Sequence, residues 1–200
     1  MADLRSQAEF DDMYAGTPPW DIGHPQPSLR ALAEAGGLTG RVLDAGCGTG
    51  EHALMAAGMD LDATGVDGSP RAIELARRKA AERGIEVRFL LADALDLGSL
   101  GEVFDTVIDS GLFHVFGDDD RARYVDSLRV ATSPGAQVYV LCFSDRLPPG
   151  FGPRRVTQEE IRASFSDGWR VQAIEAVGLE VNLSPDPVPA WLATIERRGE

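Results

Sequence analysis

One ten-residue stretch constrains this chain more than any other: Arg41-Val42-Leu43-Asp44-Ala45-Gly46-Cys47-Gly48-Thr49-Gly50. Val42 and Leu43 read as the end of a buried strand, the glycines as a tight turn, and residues 51–57 as the helix that follows. A strand that bends through glycines into a helix presents backbone N–H groups and the positive helix end to a ligand. Glycine suits the bend because it accepts positive φ and puts no Cβ between backbone and ligand. A dinucleotide fingerprint requires G-x-G-x-x-G with an acid about 20 residues further on. Here the pattern is G-x-G-x-G, Glu51 stands where the third glycine would fall, and Asp44 precedes the bend. That carboxylate repels a pyrophosphate and suits a ligand carrying an ammonium or a sulfonium.

The remainder alternates strand and helix. Residues 61–67 read as a second strand ending in Asp67, after which Ser69 caps a helix and Pro70 opens it. Ile73, Ala76 and Ala80 share the inner face of that helix, and Gly84 ends it. Residues 86–91 form a third strand leading into Asp93 and Ala94, and residues 104–109 a fourth, followed by Ser110-Gly111-Leu112-Phe113-His114. A helix over about 119–131 is expected to turn Ala122, Val125 and Leu128 inward and to be closed by Pro134-Gly135. Residues 137–143 are continuously apolar, as in a strand buried on both faces. Thr157 and Glu160 make a capping box for a short helix carrying Ile161 and Phe165. Residues 170–181 and 189–196 read as two strands with no helix between them. The pattern predicts an α/β fold with one doubly wound, mostly parallel sheet and an antiparallel C-terminal strand pair. Two hundred residues suit a single domain, with a core over 28–200 and a distinct lead-in over 1–27.

The lead-in holds four prolines within ten residues, which exclude a continuous helix or a central strand there. Its Tyr14 and Trp20 leave two readings, an N-terminal lid over the ligand pocket or an ordered plug at the edge of the core. Ser28 is expected to cap the next helix, with Leu29, Leu32 and Ala33 on one face and Gly36-Gly37 as its stop.

Composition narrows the partners. A net charge of −13 gives no electrostatic grip on nucleic acid or on an anionic membrane. No apolar run approaches the roughly 20 residues of a spanning helix. The opening Met1-Ala2-Asp3-Leu4-Arg5 lacks a secretory pattern, so the cytoplasm is the expected compartment. The two cysteines, Cys47 and Cys142, do not make a disulfide framework. His24 and His52 have no Cys, His or acid cluster near them in sequence, so no metal is expected.

The octet 43–50 closely resembles the first motif of class I S-adenosylmethionine-dependent methyltransferases. Thr17-Pro18-Pro19-Trp20-Asp21-Ile22-Gly23 is similar to the Pro-Trp-Asp-x-Gly segment of the thiopurine and halide/thiol methyltransferases. The resemblance implies a methyl donor, S-adenosyl-L-methionine, bound at Trp20, Asp44, Gly46, Cys47, Gly48, Asp67, Gly68, Asp93, Ala94 and Asp109. Asp67 would hold the ribose hydroxyls, Asp93 with the Ala94 N–H the adenine edge, and Asp44 the methionine ammonium. Trp20, with Tyr14, would offer aromatic faces to the sulfonium. Cys47 is better explained as a small residue than as a nucleophile. The acceptor would be a small molecule, aromatic or heterocyclic, methylated on S, N or O. Tyr14, Phe113, His114 and Arg155 are the candidates to contact it, with His114 as base and Asp109 beside the transfer site. For Phe113 the core is the alternative, for His114 a structural role in its aromatic run, for Asp109 a turn cap, and for Arg155 solvent. Two other functions stay open at this point: a nicotinamide-dependent oxidoreductase and a non-catalytic S-adenosylmethionine-binding protein. An Asp-Pro-Pro-Tyr motif for base methylation is absent after the fourth strand.

Overall fold

Seven strands join one sheet in the order β3-β2-β1-β4-β5-β7-β6. In this computed structural model residues 6–148 and 153–199 are described. The opening pentapeptide that bears on compartment therefore lies outside the described residues. The strands are β1 Arg41–Ala45, β2 Asp62–Asp67, β3 Arg88–Leu91, β4 Phe104–Ser110, β5 Thr132–Phe143, β6 Trp169–Leu179 and β7 Val188–Arg197. Strands β3, β2, β1, β4 and β5 pair in parallel, and β7 runs antiparallel to both β5 and β6. This is the doubly wound sheet with an antiparallel C-terminal pair that the sequence predicts.

The helices are α1 Gln7–Met13, α2 Pro27–Glu34, α3 Glu51–Ala57, α4 Pro70–Arg83, α5 Asp118–Val130 and α6 Gln158–Ser164. Alternation along β5 sends its side chains to two cores. Val138, Val140 and Cys142 join Tyr124, Leu128 and Ile161 of α5 and α6. Tyr139, Leu141 and Phe143 join Leu29 and Ala33 of α2. A third cluster packs Ala53 and Leu54 of α3 against Ile73, Ala76 and Ala80 of α4, over Phe89. Among the described residues no helix is long and apolar enough to cross a membrane.

Three local expectations are corrected. Helix α2 starts one residue earlier than Ser28: Gln26 is the N-cap and Pro27 the first helical residue. Proline needs no N–H in the first turn, so it opens the helix without a side-chain cap. Helix α5 starts at Asp118, and its inward residues are Arg121, Tyr124, Val125, Ser127 and Leu128, with Ala122 exposed. The Arg121 guanidinium lies 4.5 Å over the Phe113 ring and 3.7 Å from Glu160, which makes its burial tolerable. Pro134 and Gly135 do not close α5; they sit inside β5, whose pairing with β4 shifts register between Phe104 and Thr106.

Candidate active site

The central strand β1 lies between β2 and β4, so the sheet reverses its winding there, and open parallel sheets bind ligands at such a point. Ala45 is level with Val66 on one side and with Asp109 on the other, which brings Asp44, Asp67 and Asp109 to one end of the sheet. Asp44 is 1% exposed; its Oδ2 accepts the Ala53 N–H at 3.0 Å, while Oδ1 has no partner. Burial, reinforced by the Asp67 and Asp109 charges, pushes its carboxyl up to about 7. Asp67 accepts the Gly48 N–H and the Ser69 N–H, each at 2.8 Å, and burial raises its carboxyl above the ordinary range.

The bend holds these acids against α3. Gly46 and Gly48 have φ of +68° and +52°, a region that side chains disfavour. A Cβ would also approach Leu112 to 3.0 Å at Gly46 and the Tyr14 hydroxyl to 2.9 Å at Gly48. Cys47 between them is buried, donates to the Gly48 carbonyl at 3.6 Å, and has its thiol pushed well up by burial. It is a packing residue with no thiolate character.

The lead-in is seated on these loops. Gln7 Nε2 donates to the Gly68 carbonyl at 2.5 Å, and Asp11 accepts from the Ser69 hydroxyl and the Arg71 N–H. Tyr14 is buried; its hydroxyl accepts the Trp20 indole N–H at 2.9 Å, and Phe10 and Tyr14 meet the Trp20 ring edge-on. Asp21, beside Trp20, accepts the Thr49 hydroxyl at 2.8 Å, and Thr49 in turn accepts Lys79 Nζ at 2.7 Å. The Pro-Trp-Asp segment and the glycine bend are thus joined by a direct hydrogen bond. Sequence reasoning named both motifs and missed this link. It also missed α1, for which Ser6 and Glu9, a complete capping box, were the available signal. A groove of about 540 Å³ between the lead-in and α3–α4, lined by Thr17, Ile22, Lys79 and Arg83, contains none of the strand-end acids.

The β4–β5 side is bonded differently. Asp109 is fully buried; it accepts the Leu112 and Phe113 N–H groups at 2.8 and 3.2 Å and the Tyr124 hydroxyl at 2.9 Å. Burial pushes it to about 7, yet both oxygens are committed to the turn over 110–113 and to α5. That is the geometry of a turn-capping acid. Phe113 is buried, stacked on Phe165 at 5.7 Å within the core, which corrects the expectation that it contacts the acceptor.

His114 lies stacked on Phe143 at 4.4 Å, and its Nδ1 accepts the Phe143 N–H at 2.9 Å. Burial lowers its imidazolium to about 3, so the ring is neutral at physiological pH. With Nδ1 accepting, the proton sits on Nε2, which makes His114 a donor where a base was expected. Asp93 caps the 3-10 turn Ala94–Leu100, accepting the Leu95 N–H at 2.9 Å, and is exposed. Its loop adjoins β2 through the Ala92 N–H on the Asp67 carbonyl. Arg155 is exposed and donates to the Leu147 carbonyl at 3.3 Å, apart from the bonds that tie the acids together. Among the described residues no group of His, Cys, Asp or Glu is arranged to hold a metal ion.

At this end of the sheet Asp44 Oδ1 stands without a protein partner. A family model described as a methyltransferase domain matches residues 42–135. A 2-heptyl-1-hydroxyquinolin-4(1H)-one methyltransferase of Mycobacteroides abscessus is 40% identical over 179 residues, covering 88% of this chain and 79% of that one. A probable thiol methyltransferase 2 of Arabidopsis thaliana is 30% identical over 148 residues, 73% of this chain and 66% of that one. A structure solved in a study of the conversion of a disulfide bond into a thioacetal group during echinomycin biosynthesis superposes with a TM-score of 0.88. It is 39% identical, with 96% of this chain and 93% of that chain covered. The two named relatives are methyltransferases, which favours neither the oxidoreductase nor the non-catalytic alternative. With the strand order, the glycine bend and these relatives agreeing, the chain belongs to the class I S-adenosylmethionine-dependent methyltransferases.

Proposed function

We propose that this enzyme methylates sulfur, nitrogen or oxygen of a small aromatic or heterocyclic acceptor whose nucleophilic atom needs no protein base. The observation that carries the reading is the bare, buried Asp44 Oδ1 at the glycine bend. It fits the ammonium of the donor's methionine part, because a buried carboxylate is stable only when paired. The Gly48 and Ser69 N–H groups bond different Asp67 oxygens, which leaves the carboxylate lone-pair capacity for a ribose hydroxyl. Gly46, Cys47, Gly48 and Gly68 would supply the backbone wall, Asp93 and the Ala94 N–H the adenine contacts, and Tyr14 and Trp20 the roof. When bound, S-adenosylmethionine supplies a methyl carbon activated by its sulfonium.

The protein's own task is then alignment and exclusion of water. A lone pair of the acceptor bonds to the methyl carbon as the carbon–sulfur bond breaks. A thiolate or an acidic N-hydroxyl arrives already deprotonated, whereas an ordinary alcohol would need a base. His114 presents an N–H, which orients an anionic or lone-pair acceptor and takes no proton from it. The acceptors named for two relatives, a hydroxyquinolone and a thiol, are consistent with that class. The two free, buried cysteines suit a reducing cytoplasm, and a charge of −13 disfavours nucleic acid as substrate.

Incubation with methyl-labelled S-adenosylmethionine and a panel of thiols, N-hydroxy heteroaromatics, phenols and aliphatic alcohols tests the reading. Transfer to the first two classes, and little to alcohols, is the expected result. Efficient methylation of alcohols alone would contradict it.

A further inference from the structure

Trp20 sits in a tight turn whose ends are closed by the Asp21 N–H on the Pro18 carbonyl at 3.0 Å. Pro19 occupies the second position of that turn, where its fixed φ is favourable. The turn's own bond leaves its outward carbonyls to be satisfied elsewhere, and a single residue three positions past the end of β6, Asn182, does this. The Asn182 side-chain amide donates to the Asp21 carbonyl at 2.8 Å and to the Pro18 carbonyl at 3.3 Å, and the Asn182 backbone N–H donates to the Pro19 carbonyl at 2.7 Å. An amide –NH2 has two hydrogens, and Asn182 spends both on the turn. Two residues earlier, the Gln26 side chain pairs with both backbone groups of Glu180 at 2.9 Å, and the Gln26 N–H donates to His52 of α3 at 3.1 Å. The segment carrying Trp20 is thus fastened to the C-terminal hairpin on one side and to the helix of the glycine bend on the other.

We propose that Asn182 is a positioning residue for Trp20, fixing the indole over the cofactor by holding the three carbonyls that flank it. This rests on the reading that Trp20 contacts S-adenosylmethionine. Asn182 lies outside both sequence motifs, in the link between β6 and β7, and is exposed. Replacing it removes hydrogen bonds without opening a cavity. A residue of merely local importance there would leave ligand binding untouched.

The test is a double-mutant cycle on S-adenosylhomocysteine affinity, measured by calorimetry on the full chain with Asn182→Ala, Trp20→Ala and the pair. Asn182→Ala is expected to weaken binding about three- to tenfold, the scale of one or two hydrogen bonds to partly exposed groups. In the Trp20→Ala background the same substitution should change affinity less than about twofold, because two residues acting through one contact are not additive. Asn182→Asp, which cannot donate and sets a carboxylate against carbonyl oxygens, should weaken binding at least as much as alanine. If Trp20→Ala alone leaves affinity unchanged, the reading of Trp20 fails and the proposal with it. If Trp20→Ala weakens binding while Asn182→Ala has no effect, or adds its full effect to the pair, the proposal alone is overturned.

Discussion

Asp44 and Asp109 end adjacent strands, both are almost fully buried, and burial pushes both carboxyls to about 7. Their bonding differs. Asp109 receives three donors from its own turn and from α5, while Asp44 receives one and keeps Oδ1 bare. An unpaired buried polar atom costs about 1–3 kcal/mol, and more for a charged one, so a bare oxygen on a buried carboxylate is a candidate for completion by a ligand. The difference distinguishes the two acids where burial and titration behaviour do not, and it is the ground for assigning Asp44, and not Asp109, to the proposed cofactor. On the β4–β5 side Asp109 is fully bonded, and a bare buried atom there is the Ser144 hydroxyl just past β5.

The comparison breaks first at Asp44→Asn. This variant should lose two to three orders of magnitude in S-adenosylhomocysteine affinity, the scale of truncating one partner of a buried charge pair. It should also gain about 1–3 kcal/mol of stability at pH 8 in denaturant melts without ligand, because an uncompensated charge is removed. A loss of stability would place Asp44 with Asp109. Asp109→Ala is the converse. It strands two backbone N–H groups and the Tyr124 hydroxyl, so melts should show a loss of about 2–4 kcal/mol. Cofactor affinity in the folded fraction should change severalfold at most.

His114→Phe sharpens the β4–β5 side. Phenylalanine keeps the stack on Phe143 and removes both the Nε2–H and the acceptor of the Phe143 N–H, so melts should show a loss of stability, and in the folded fraction the acceptor KM should rise about tenfold while kcat falls less. In the native enzyme the pH profile of kcat/KM should show no histidine limb between pH 5 and 8, since burial holds His114 neutral there. A limb near pH 6.5 that vanishes with the histidine would restore it as a base. The smallest effect belongs to Thr49→Val, which cuts the hydrogen bond between the bend and Asp21. Binding of S-adenosylhomocysteine should weaken about threefold by calorimetry, in keeping with one hydrogen bond between partly exposed groups.

How much of this was legible in the chain follows from how local each signal is. Ser69 before Pro70, the Thr157–Glu160 box and Gly84 specify helix ends through contacts within a few residues, and the structure has all three. The alternation of strands and helices with an acid after each strand grouped Asp44, Asp67 and Asp93, with Asp109 ending the fourth strand, because a parallel sheet aligns such ends. In the structure Asp109 is level with the first two, while Asp93 is exposed and caps its own turn. What was hidden depends on partners far apart in sequence. No spacing reveals that Phe113 faces Phe165 and not a pocket, or that the Phe143 N–H occupies His114 Nδ1 and so fixes which nitrogen carries the proton. The bonds from Asn182 and Gln26 to opposite ends of the chain belong to the same class. Helix α1 differs, since Ser6 and Glu9 announced it locally, but its seat on Gly68 and Ser69 did not show.

The central claim, that the bare oxygen of Asp44 receives the donor's ammonium, is tested most directly by proton exchange on binding. An acid held near 7 by burial is about half protonated at pH 7, and pairing with a cation lowers its pKa, so that proton must leave. Calorimetry of S-adenosylhomocysteine binding at pH 7, repeated in buffers of different ionisation enthalpy, should report release of about half a proton per ligand, absent in Asp44→Asn. Binding with no net proton release in the native protein, or with the same release in the variant, would contradict the account.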